Sequence, residues 1–99
     1  MPKAPDPGDL QSSLDRAGPP ASAAAELRAL WWVRNGDWDR AHRTVQDLNT
    51  NAAAWVHAYL HRVEGDLDNA AYWYSRAGQP VCVDSLEIEW QTLVARFAR

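Results

Sequence analysis

From Ala21 onward, large apolar side chains return every three or four positions, which is the period of an α-helix. Stop signals divide this pattern into five runs. The first carries Leu27, Leu30 and Trp31, with Ala25, Ala29 and Trp32 on an adjoining stripe. Pro19 and Pro20 suit its entry, where a missing N–H costs nothing, and Asn35-Gly36 ends it. Asp37 is placed to cap a second run bearing Trp38, Ala41, Val45 and Leu48. Thr50 or Asn51 opens a third, in which Trp55, Val56, Tyr59, Leu60 and Val63 form a broad apolar surface that stops at Gly65. Asp66 caps a fourth, where Leu67, Ala70, Ala71, Tyr74 and Ala77 line up before Gly78 and Pro80. For the fifth, Asp84 with Glu87 three residues later reads as a capping box, and Val83 is placed to staple onto Ile88. Its stripe is Leu86, Trp90, Leu93, Val94 and Phe97. No period-two alternation competes, so the expected class is all-α.

Composition changes this picture at the amino terminus. The first twenty residues hold five of the six prolines and, besides Met1, only Leu10 and Leu14 as sizeable aliphatics. Such a segment buries too little surface to offset the entropy of ordering it. The expectation is a disordered or loosely docked arm over 1–20 and a single domain over 21–99. A core that small is marginal unless each residue buries a large area. The six tryptophans answer this, since a buried aromatic removes roughly 150–250 Å² from water. The formal charge of −3, with nine arginines scattered and no basic run, disfavours both nucleic acid and an anionic membrane surface. No stretch approaches the roughly 18 consecutive apolar residues of a membrane span, and MPKAPDPGDL lacks the apolar segment of a secretory signal, so a cytoplasmic protein is expected. The one cysteine, Cys82, allows no intrachain disulfide, and without a basic neighbour in sequence it reads as an idle thiol.

Two helix pairs repeat one another. With Gly36 set on Gly65, NGDWDRAHRTVQDL lies over EGDLDNAAYWYSRA, so that glycine, Asp, a large apolar residue and Asp agree in order. Ala41 then falls on Ala70, Val45 on Tyr74 and Leu48 on Ala77, while upstream Ala29 falls on Ala58. Over about residues 27–80 this pattern resembles the tetratricopeptide family of helix-turn-helix repeats, although the period is 29 residues where that family has about 34. The stretch 57–78 is similar as well to short bacterial proteins of unassigned function, a likeness that supports the boundaries and supplies no activity. The family resemblance implies two antiparallel hairpins and a C-terminal capping helix, wound as a right-handed α–α superhelix. It implies further that the first helix of each hairpin lines a concave face. The matching positions are Glu26, Leu30, Val33 and Arg34 in the first repeat, then Trp55, Tyr59, Arg62 and Val63 in the second. Arginines beside aromatics in such a groove suit a peptide carrying a carboxylate or an aromatic side chain. The alternative is that Trp55 and Tyr59 only cover the core.

The histidines supply a rival chemistry. His57, His61 and Glu64 recur at spacings of four and three, which projects all three from one helical face, as a site of two histidines and a carboxylate requires. A zinc-protease helix, however, places Glu directly after its first His, and here that residue is Ala58. By the repeat alignment His61 takes the place of Trp32, and His57 sits beside the small Ala58. In the family that the repeats resemble, both places belong to the packed interior of the hairpin, so the resemblance implies imidazoles that are partly buried, hydrogen-bonded and holding the hairpins in register. Asp37, Asp39, Asp66 and Asp68 begin helices, where acids favour the dipole. A phosphate loop and a nucleophile elbow are both missing from the sequence, and no cofactor or resident metal is expected. Two hairpins are fewer than the three or so repeats that bury a solenoid core. Tyr72 and Trp73 also leave the stripe of Tyr74 and need cover from the last helix, the arm or a second molecule. The sequence thus predicts a small cytoplasmic protein-interaction module, not an enzyme, that binds a protein or peptide and self-associates as a homodimer. The alternative is a small metal- or ligand-dependent enzyme using His57, His61 and Glu64.

Overall fold

The computed structural model describes residues 18–19 and 22–98, and its regular structure is entirely helical. The helices are α1 (Ala25–Arg34), α2 (Trp38–Val45), α3 (Asn51–Glu64), α4 (Leu67–Ala77) and α5 (Leu86–Phe97). Among the described residues there is no strand, and no helix is long and apolar enough to cross a membrane. Apart from Gly18 and Pro19, the expected amino-terminal arm lies outside the described residues.

Short polar side chains start the middle helices where the sequence places them. Asp37 Oδ1 accepts from the Arg40 N–H at 3.0 Å, Thr50 Oγ1 from Ala53 at 3.0 Å, and Asp66 Oδ1 from Asn69 at 3.2 Å. Gly65 and Gly78 stop α3 and α4 with φ of 87° and 71°, in the left-handed region that a Cβ disfavours. Three boundaries differ from expectation. α1 begins at Ala25 instead of Ala21: Ala24, its N-cap, has extended backbone and makes no side-chain cap bond, and Arg28 Nη1 donates to the Ala23 carbonyl at 2.7 Å. α2 ends at Val45, and the chain must then extend to set Thr50 as a cap, so Leu48 falls beyond the helix and is exposed. Ser85, not Asp84, caps α5: its Oγ accepts from Ile88 N–H at 3.1 Å. Glu87 is drawn away to Arg34, which removes the capping box, and Val83 and Ile88 stay exposed where a staple would bury them.

Tight turns at Gly36 and Gly65 fold α1 on α2 and α3 on α4. Buried alanines let each pair approach: Ala29 and Ala41 in the first hairpin, Ala58 and Ala70 in the second. α2 packs on α3 and joins the hairpins, while α5 lies against both α1 and α3. The main core, with Leu27, Leu30, Trp31, Val56, Leu60, Trp90 and Leu93 among its members, sits where these three helices meet. A smaller cluster of Ala58, Ala70 and Tyr74 fills the second hairpin.

Candidate functional site

Two assemblies of polar side chains stand out, one on each side of α3. On the inner side, α5 covers the face that the sequence marks as a partner groove. Arg34, at the end of α1, holds Glu87 with an Nη2–Oε2 distance of 2.9 Å and stacks its guanidinium 4.0 Å from the Trp90 ring centroid. The Trp90 indole donates to the Leu30 carbonyl at 2.9 Å. Arg62, near the end of α3, donates to Glu89 at 2.6 Å and to the Asp84 carbonyl at 2.7 Å. Trp55 donates to Glu89 at 3.3 Å and meets the Phe97 ring edge-on. Tyr59 is buried in the same layer, and burial together with the nearby Glu89 carboxylate pushes its phenol up to about 12. Of the expected groove residues, Leu30, Arg34, Trp55, Tyr59 and Arg62 are thus taken up in seating the chain's own last helix. Val33 is half-buried against the core, Val63 is exposed, and Glu26 stands apart in the first turn of α1.

Glu89 is the residue that sequence reasoning missed on this side. Only 2% exposed, it receives Arg62 and Trp55, and Tyr74 Oη lies 2.6 and 2.7 Å from its two oxygens. Burial and this hydrogen bond push the Tyr74 phenol well above its ordinary value. The available signal was positional, since residue 89 lies beside Trp90 and four before Leu93 on the inward stripe, whereas Leu86, expected on that stripe, is exposed. Its carboxylate disguised the burial.

On the outer side, three histidines gather between the hairpins. His57 and His61, one turn apart on α3, stack with ring centroids 4.8 Å apart, and both are buried. Their expected interior position is what the packing gives. His42, half-buried on α2, joins them with its Nε2 2.8 Å from His57 Nε2, so that one imidazole donates to the other. Trp73 lies flat on His57 at 3.8 Å between centroids, and Trp38 lies flat on His42 at 4.9 Å. The cover for Trp73 is therefore His57 of its own hairpin, and Tyr72 remains exposed under Arg76. Burial, reinforced by the neighbouring imidazoles, pushes His57 down to about 4 and lowers His42 as well. Glu64 does not share a ligand set with the two α3 histidines, contrary to the i, i+4, i+7 reading. It bonds His61 Nδ1 at 2.6 Å from the rim of the cluster. The three residues whose nitrogens converge, within 4.8 Å of one another, are His42, His57 and His61. His42 escaped the sequence argument because it is brought in by the packing of α2 on α3.

Cys82 sits in the 79–85 linker beside a cleft of about 260 Å³ that Trp55, Val81, Glu89 and Thr92 also line. Burial raises its thiol, which keeps it from acting as a ready nucleophile and agrees with the idle reading. Comparison of the chain with protein-family models, with curated proteins and with solved structures gives no match.

Proposed function

We propose that the chain is a protein-interaction module of tetratricopeptide-like type, without catalytic activity, that works by holding an acidic amphipathic helix on the inner face of its two hairpins. In one copy that helix is α5. On self-association it is the α5 of a second copy, exchanged through the 79–85 linker. The observation that carries this reading is the double clamp, in which each hairpin extends one arginine to one carboxylate of the same helix, Arg34 to Glu87 and Arg62 to Glu89. Arginine forks matched to carboxylates fix the register of a docked helix, while the apolar stripe of Trp90, Leu93 and Val94 supplies burial. The linker favours exchange, because it has no helical structure, spans a cleft and leaves Val81 and Val83 exposed.

A labelled peptide of residues 84–98, titrated into the whole chain, tests the reading by fluorescence anisotropy. Saturable binding is expected, weakened about fivefold in Arg34→Ala, as suits the loss of about 1 kcal/mol from a surface pair. Light scattering on the same samples should give a mass that rises with concentration toward the dimer. No binding by either protein, together with a strictly monomeric mass, would remove the proposal.

A further inference from the structure

We infer that His42, His57 and His61 form a three-imidazole site for a divalent transition-metal ion, zinc above all, with Glu64 as its outer support. The inference is separate from the helix-binding reading, since it uses the opposite side of α3. Zinc binds imidazole nitrogen at about 2.0–2.1 Å in tetrahedral geometry, which sets ligand nitrogens about 3.4 Å apart. The His42–His57 nitrogens, at 2.8 Å, must open by about half an ångström to meet that value. The widest separation in the cluster is at most 4.8 Å, and it must close by a little over 1 Å. Both shifts are asked of side chains that two packed helices already gather at one point. The ion takes the place of the hydrogen bond between His42 and His57: the donor ring gives up its Nε2 proton and takes one up at Nδ1, so both ligands stay neutral imidazoles and no net proton is released.

The surroundings suit a metal better than a plain aromatic core. Glu64 engages His61 Nδ1 and so commits Nε2 as the nitrogen free to ligate, the carboxylate–histidine arrangement that orients metal-binding imidazoles. Trp73 and Trp38 lie parallel to the rings of His57 and His42 and limit their rotation. The low proton affinity of His57 and His42 keeps both in the neutral form that a metal requires. His42 is only half-buried, which gives an ion a way in from solvent and leaves the fourth coordination place to water. An all-imidazole donor set selects zinc, copper or nickel over magnesium and calcium.

The test uses the whole 99-residue chain, stripped of metal and titrated with zinc chloride by calorimetry, with cobalt(II) absorption read in parallel. One zinc per chain is expected, with tetrahedral cobalt bands and no competition from magnesium or calcium. Imidazole NMR resonances of all three histidines should move together on zinc addition, a reading that needs no variant. His42→Ala, at the most exposed of the three positions, should abolish stoichiometric binding. Glu64→Gln should weaken binding about 10–100-fold. Zinc binding that survives intact in His42→Ala, or zinc that leaves the three resonances in place, would overturn the site and reduce the cluster to packing.

Discussion

Glu89 brings a carboxylate into a layer of otherwise apolar side chains, where Arg62, Tyr74 and Trp55 supply its hydrogen bonds. Taking such a pair out of water costs several kcal/mol, and only complete pairing offsets it. Removing one partner is therefore far worse than removing an equivalent partner at the surface. Arg62→Ala should destabilise the fold by about 3–5 kcal/mol, because it leaves the buried carboxylate without its counter-charge. Arg34→Ala breaks a pair whose carboxylate is half-exposed and should cost under about 1 kcal/mol. Urea denaturation of both variants checks this, and equal losses would mean that Glu89 is not held as described. The same residue marks a limit of sequence reading. Its place on the inward stripe was legible from the spacing of Trp90, Leu93 and Val94, but a carboxylate is read as solvent-facing until the arginine and tyrosine that meet it are known.

Among the elements, the clearest boundaries are those fixed by local chemistry alone. Asp37, Thr50 and Asp66 cap through side-chain bonds to the backbone three residues on, and Gly65 supplies a left-handed residue at the end of α3. An added Cβ at Gly65 would meet nothing within 4 Å, so its cost is purely conformational. Gly65→Ala should lose about 1–2 kcal/mol in thermal or chemical unfolding. Gly18→Ala, likewise in open space but without a positive φ, should change little. A harmless Gly65→Ala would show that the turn does not hold this conformation. Boundaries set by competition between neighbours were less legible. Ser85 displaced Asp84 as a cap because Glu87 finds Arg34 across the molecule, and α2 ended early to free Thr50. The histidine cluster divides in the same manner. His57 and His61 were expected inside from the match of the two repeats to the hairpin pattern, whereas His42 arrives from another helix.

For the molecule as a whole, α5 decides how the parts respond together. Tyr59, on α3, faces Glu89, Arg34, Glu87 and Arg62; Tyr74, on α4, faces Glu89, Arg62 and Cys82. Both phenols are raised in the folded state, chiefly by burial, so the fold holds their protons where an unfolded chain has lost them. The stability this gives is complete below the ordinary phenol value of 10.0 and is lost as pH rises toward about 12, where Tyr59 ionises in the fold. Tyrosinate absorbance and helical circular dichroism, followed across that range, should change together, and Tyr59→Phe should move the alkaline midpoint upward. Ionisation of both phenols with the helices intact would contradict their burial. The position of α5 in chain order has a further consequence during synthesis. The inner faces of α1 and α3 are made before the helix that covers them, so a growing chain carries Leu30, Trp55 and Tyr59 uncovered until residue 97 has been added. At roughly 5–20 residues per second, adding the linker and α5 takes a few seconds, during which a neighbouring nascent chain on the same messenger offers the same bare surface.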